Sequence, residues 1–331
     1  MIWWLFVLVG GVALLLTSAR FLVSGVSALA RAAGVSALVV GLTVVAFGTS
    51  TPEVVINTFA AWRGDTGLAF GNIVGSCAIN IGFTLGLAGL ICPLAVRPSI
   101  ITREIPLLQL TVAAFAVMSL DGRINGSGEN VISRSDGMIL LLIFGVFVYS
   151  ILTQALEKQA ADAFVADVVA AEDQAAEKSP WTSLLKTLAG LLGVAVGGRM
   201  VVIGASSLAA GLGVPDVLIG LTIVSFGTTL PELITSVVAA RRGQSDLALG
   251  NIIGSNLFNL LFIGGLASCI TPLPIPIGGE RDLLLMALLT VALLPIAMRQ
   301  RRITRGEALV LVTVYLAFTG WRGFTSSGAG R

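Results

Sequence analysis

Residues 41–86 and 220–265 of this chain are two copies of one segment, aligned without a gap at a constant offset of 179 and identical at 23 of 46 positions. The same offset carries Arg20 onto Arg199, Ser27 onto Ser206 and Gly34 onto Gly213, so the duplicated unit also includes the preceding helix. Self-similarity at a long period restricts a fold more than local propensity does, because one packing solution must serve twice.

The solvent for that packing follows from composition. Of 331 residues, 56% are hydrophobic and 11% charged, against roughly 25% charged in soluble domains. Apolar runs near the roughly 20 residues needed to span a bilayer fall at 2–30, 36–62, 67–92, 104–120 and 137–156, then at 182–209, 215–240, 246–271, 282–298 and 307–321. The pattern predicts an all-α integral membrane protein with ten transmembrane helices in two five-helix repeats, 1–156 and 181–331, joined by a polar cytoplasmic linker, 157–180. An odd number of spans per repeat inverts the second relative to the first, as in many secondary transporters. Lys and Arg bias, with Arg31, Arg97, Lys158, Lys178, Arg241 and Arg242 on one side, places that side in the cytoplasm and both termini outside. Met1 to Leu16 carries no Lys or Arg, so it reads as a retained first span rather than a secretory signal.

Several function classes drop out. A net charge of +2 without long runs of one sign gives nucleic acid nothing to bind. Cys77, Cys92 and Cys269 are too scattered for a disulfide framework or a thiolate zinc site. There is no histidine, so imidazole is unavailable as ligand or base. Any metal or proton chemistry must therefore use oxygen. No permanently bound cofactor and no protein partner is indicated, and the bilayer is the expected surrounding.

All nine aspartates and seven of nine glutamates lie in expected loops or near helix ends; Glu53 and Glu232 lie deep in apolar spans. A charge at the bilayer centre costs about 2.5–3.5 kcal/mol on insertion scales and is normally kept for an ion or proton pathway. A structural protonated carboxyl would have to occur twice, at equivalent positions. Each glutamate follows a proline, in Gly48-Thr49-Ser50-Thr51-Pro52-Glu53 and Gly227-Thr228-Thr229-Leu230-Pro231-Glu232. Proline deprives the carbonyls of Gly48 and Gly227 of their usual donors and pushes Thr51 and Leu230 away from helical geometry. Helices 2 and 7 should therefore break, exposing carbonyls beside hydroxyls and one carboxylate. Irregular backbone at that depth is tolerated where it is buried or lines a polar cavity.

The next helix of each half carries Asn72, Ser76 and Asn80, then Asn251, Ser255 and Asn259, at steps of four that share one face. Asn72 and Asn251 are expected to bridge helices; Ser76, Asn80, Ser255 and Asn259 are expected to face ions. The assembled set is all oxygen, which suits hard cations, and calcium takes six to eight such ligands in flexible geometry. Two carboxylates match one calcium, while sodium can share them and use the flanking neutral oxygens.

These motifs, with Gly71-Asn72-Ile73-Val74-Gly75-Ser76 and Gly250-Asn251-Ile252-Ile253-Gly254-Ser255, resemble the paired alpha repeats of the sodium/calcium exchanger family, within the calcium:cation antiporter superfamily, in its prokaryotic form without a large regulatory loop. The resemblance implies a sodium/calcium antiporter of a prokaryotic inner membrane in which Glu53 and Glu232 hold ions and Asn80 and Asn259 complete the central ring. It implies flanking sodium sites at Ala46, Thr49, Ser50 and Ser76 and at Ser225, Thr228, Thr229 and Ser255, with the first and sixth helices sliding across a rigid core. The Pro-Glu motifs resemble the sodium-coupled branch more than the cation/proton branch, whose repeats carry an Asn-Ala-Ala-Glu type of sequence. Some branches have Asp where this chain has Asn259. A calcium/proton antiporter using the same glutamates is the alternative. A channel fits a closed inverted pair of broken helices less well, and an enzyme would lack a nucleophile–base pair.

Overall fold

The computed structural model describes residues 2–126, 129–166, 180–212 and 225–328. The first half runs α1 (Ile2–Ala32), α2 (Ala37–Thr49), α3 (Thr51–Arg63), α4 (Thr66–Ile91), β1 (Leu94–Ala95), α5 (Ile100–Ser119), a short α6 (Asp121–Asn125), β2 (Val131–Ile132) and α7 (Arg134–Ala166). The second runs α8 (Pro180–Gly211), α9 (Ser225–Thr228), α10 (Leu230–Arg241), α11 (Ser245–Ile270), β3 (Leu273–Pro274), α12 (Gly279–Gln300), β4 (Arg302–Ile303) and α13 (Arg305–Gly328). Among the described residues seven helices are long and apolar enough to cross a membrane, and α2 with α3, bent by 50°, makes an eighth span. Helix α7 runs through residue 166, so the start of the segment expected as linker is helical; 167–179 and 213–224 lie outside the described residues.

Solvation is reversed relative to a soluble protein. Large apolar side chains such as Phe6, Leu142, Val146 and Leu188 face outward, while Glu53, Asn80, Glu232, Asn256 and Asn259 are at most 1% exposed. That distribution fits hydrocarbon outside and a polar interior.

Helices α1 and α8, repeat counterparts, pack antiparallel along a seam of small residues. Gly190, Gly197 and Gly204 face the backbones of Leu22, Leu15 and Leu8, each set spaced by seven, and a Cβ on Gly197 would sit 2.8 Å from the Leu15 nitrogen. Close approach through small residues is how membrane helices gain packing when lipid removes the hydrophobic drive.

The halves also exchange parts. β1 pairs antiparallel with β4, and β2 with β3, so the loop after the third span of each half binds the loop before the last helix of the other. The last helices follow: α13 packs on α4, placing Val312 and Ala308 against Gly86, and α7 packs on α11, placing Gly137 and Leu141 against Gly265.

Candidate ion-binding site

The site begins where α2 meets α11. A Cβ on Gly250 would lie 2.7 Å from the Leu38 carbonyl oxygen, and one on Gly254 2.7 Å from the Leu42 Cα, so backbone touches backbone there. This crossing brings the end of α2 to polar residues of the other half. The Thr49 hydroxyl lies 3.2 Å from Asn251 Oδ1, and Ser50 Oγ donates to Glu232 Oε1 at 2.8 Å. Asn251 in turn donates to Ser236 Oγ at 2.9 Å and to the Glu232 carbonyl at 3.3 Å, which is the helix-bridging role expected of it.

The breaks fall one residue earlier than the prolines suggested. Ser50 (φ −85, ψ 6) and Thr229 (φ −88, ψ −4) interrupt the helices, whereas Thr51 and Leu230, expected to leave helical geometry, open α3 and α10. Proline is well placed in a first turn, where its missing N–H would have no intrahelical partner, so the helix restarts just before it. Glu53 and Glu232 consequently lie in the first turns of α3 and α10, at the positive ends of those helix dipoles. The Ala46 carbonyl accepts the Ser50 N–H at 3.0 Å, and the Thr51 hydroxyl donates to the Phe47 carbonyl at 3.0 Å.

Glu53 and Glu232, from opposite halves, are close enough to interact electrostatically; Glu53 also faces Thr228, and Glu232 faces Thr49 and Ser255. Asn80 opens a π-helical turn in α4 (Asn80–Leu85), and Asn259 lies in the corresponding turn of α11 (Phe258–Ile263). Such turns concentrate at functional sites because they redirect side chains. Thr49, Ser50, Glu53, Ser76, Asn80, Thr229, Glu232, Ser255 and Asn259 are all at most 2% exposed, Ala46 is fully buried and Thr228 is 7% exposed. The structure thus gathers eleven of the twelve expected residues in the interior; Ser225 begins α9, with its side chain outside the description.

The oxygens in this interior are oriented but incompletely satisfied. Among the described residues, both carboxylate oxygens of Glu53, Oε2 of Glu232, Ser76 Oγ, Thr229 Oγ1, Ser255 Oγ, Asn80 Oδ1 and Asn259 Oδ1 lack a hydrogen bond of normal geometry. Buried polar atoms are otherwise almost always bonded, so such a concentration calls for a ligand. Among the described residues no group of three His, Cys, Asp or Glu side chains assembles. A cation held here would rest on two carboxylates and neutral oxygens.

Two asparagines escaped the sequence reading. Asn256, fully buried, accepts from Asn80 Nδ2 at 3.0 Å and donates to the Cys77 carbonyl at 3.2 Å, which holds the Asn80 amide while its oxygen stays buried and unbonded among the described residues. Asn57, 1% exposed, donates to the Glu53 carbonyl at 2.7 Å; its i+4 spacing from Glu53 was the available signal. Glu104, expected with the helix-end charges, is also 1% exposed and pairs with Arg103 in the π-helical first turn of α5.

The model of the family described as sodium/calcium exchanger protein matches residues 3–153 and 182–324, nearly the whole chain. The chain belongs to the sodium/calcium exchanger family. It is 35% identical over 327 residues to the inner membrane protein YrbG of Escherichia coli, covering 95% of this chain and 96% of that one. It is 28% identical over 339 residues to the sodium/calcium exchanger MaX1 of Methanosarcina acetivorans, covering 94% and 96%. Among solved structures, the sodium-calcium exchanger NCX_Mj superposes with a TM-score of 0.81 at 30% identity, over 96% of this chain and 97% of that one. This exchanger-family chain is therefore a multi-pass membrane antiporter of cations, with its buried carboxylates at the crossing of the two repeats.

Proposed function

We propose that the chain exchanges calcium for sodium across a prokaryotic inner membrane by alternating access. The observation that carries this reading is the burial of Glu53 and Glu232 in one interior where, among the described residues, both Glu53 carboxylate oxygens, Glu232 Oε2, Asn80 Oδ1 and Asn259 Oδ1 lack hydrogen-bond partners. In this reading calcium takes both carboxylates with Asn80 and Asn259. Sodium takes the same carboxylates together with Thr49, Ser50, Ser76 and the Ala46 carbonyl on one side and Ser225, Thr228, Thr229 and Ser255 on the other. Competition for one pair of charges makes the exchange obligatory. The architecture proposed with it has ten spans in two inverted repeats, 1–156 and 181–331, with both termini outside; α9 with α10, and α13, supply the last two spans. The antiparallel pairing of α1 with its counterpart α8 supports the inversion.

More than two sodium ions per calcium would move net charge, each elementary charge being worth about 2.3 kcal/mol per 100 mV. Calcium uptake into proteoliposomes under imposed gradients of sodium, protons or potassium tests this directly. Uptake should follow the sodium gradient and respond to an imposed potential. Uptake driven by a proton gradient alone in sodium-free vesicles, without inhibition by sodium, would instead establish calcium/proton exchange.

A further inference from the structure

Away from the ion site, two adjoining grooves share Arg20 and Arg242 where α1 and α8 cross the C-terminal end of α10, and Arg241 and Lys186 complete their basic lining. Four cations are gathered with no acid among them. Arg242 donates to the Arg20 carbonyl at 3.2 Å, and among the described residues none of the four forms a salt bridge. Like charges held together without a counter-ion repel one another and call for an anion.

The rest of the lining is apolar and lies at a different depth. Leu16 is one turn before Arg20 on α1, and Ile234 and Val237 are one to two turns before Arg241 on α10. Because α10 ends at Arg241, this helix terminus marks the polar boundary of the core, and the apolar wall runs from it toward the bilayer interior. A charged rim at the boundary above an apolar wall matches the polarity order of a phospholipid, phosphate first and acyl chain beneath. A free anion would need only the rim. The equivalent positions of the first repeat, Trp62 and Arg63, build no such rim: Arg63 lies 4.3 Å over the Phe59 ring.

We propose that this groove binds an anionic phospholipid, its phosphate between Arg20, Arg241, Arg242 and Lys186 and one acyl chain along Leu16, Ile234 and Val237. The lipid ties the α1–α8 pair to α10. This assignment depends only on the membrane setting, and holds whichever ion drives transport.

The test measures lipid binding without transport. The full-length protein, purified in detergent, is delipidated, incubated with phosphatidylglycerol or phosphatidylcholine, and weighed intact by native mass spectrometry, with thermal midpoint as a second readout. Phosphatidylglycerol should be retained at least tenfold over phosphatidylcholine and should raise the midpoint. Each cation replaced in Arg241→Gln, Arg242→Gln or Lys186→Gln should lower retention about fivefold, from roughly 1 kcal/mol per cation near an anionic surface. Arg299→Gln, outside the groove, should change nothing. Should an arginine variant fail to fold, Lys186→Gln at the groove margin carries the test alone. Equal retention of the two lipids, unchanged retention in the groove variants, or full protection by millimolar inorganic phosphate in place of lipid would overturn the proposal, the last in favour of a free-anion site.

Discussion

Asn256 Nδ2 donates to the carbonyl oxygen of Cys77 at 3.2 Å, and the Cys77 thiol points back to the Asn256 carbonyl at 3.8 Å, although the two residues are the same position of the two repeats. A residue can touch its own counterpart only close to the axis that relates the copies. In the proposed two-fold arrangement the axis passes between α4 and α11, one turn from Asn80 and Asn259. Yet the pair differs chemically. Asn256 restrains Asn80 through its amide, whereas Cys77 offers Asn256 mainly its backbone.

That difference gives a prediction. Asn256→Ala leaves Asn80 Nδ2 without its partner in a buried site, at about 1–3 kcal/mol; it should lower thermal stability and weaken apparent calcium affinity about tenfold. Cys77→Ala, which keeps the carbonyl, should do neither to a comparable degree. Transport titrations and thermal midpoints of the two variants check this, and equal effects would remove the axial role given to Asn256.

Glu53→Gln and Glu232→Gln should each abolish calcium uptake while the protein remains folded and inserted. Each keeps side-chain shape but removes one of two charges offsetting a divalent ion, and a broken buried pair costs about 3–5 kcal/mol, a loss of roughly 100-fold or more. Radiocalcium uptake in proteoliposomes, with gel filtration to confirm folding, measures it. Full transport by either variant would eliminate the two-carboxylate site.

Ser50→Ala removes the hydroxyl that donates to Glu232 at 2.8 Å. A hydrogen bond to a charged group contributes about 1.5–3 kcal/mol, so calcium needed for half-maximal uptake should rise roughly tenfold or more. An unchanged titration curve would mean that Ser50 does not orient the carboxylate in the transport cycle.

Asn259→Asp should change selectivity rather than simply reduce rate. Three carboxylates sharing one dry interior cannot all be charged without more cation or a proton, so transport should depend more steeply on pH and accept a different ion ratio. Identical pH profiles for variant and parent would argue that Asn259 does not face the ions.

Gly254→Val should unfold the crossing that builds the site, because a Cβ already meets the Leu42 backbone at 2.7 Å. The expected reading is a fall of several degrees or more in thermal midpoint. A stable, active variant would show that α2 and α11 need not touch.

How far these features could be read in the sequence depended on recurrence. Glu53 and Glu232 were legible because a carboxylate in an apolar span is expensive and this one occurs twice. Asn256 and Asn57 were not, because their counterparts are Cys77 and Ser236, and a search for identical positions passes over places where the copies diverge. The breaks fall at Ser50 and Thr229, one residue before the pre-proline positions, because the preference of proline for a first helical turn outweighs the pre-proline restriction there. The π-helical turns at Asn80 and Asn259 have no local sequence signature, and the pairing of β1 with β4 joins residues about two hundred positions apart.

The exchanged ribbons and last helices bear on how such a chain is made. β2 and α7 leave the ribosome before β3 and α11, on which they pack, have been synthesised. The first half must therefore wait in the membrane with its final helix unseated, and its folding finishes only when translation is nearly over. A single copy could never seat that helix on itself, but two separate copies could seat each other's. Each half is thus completed by the other, and neither is a finished folding unit by itself.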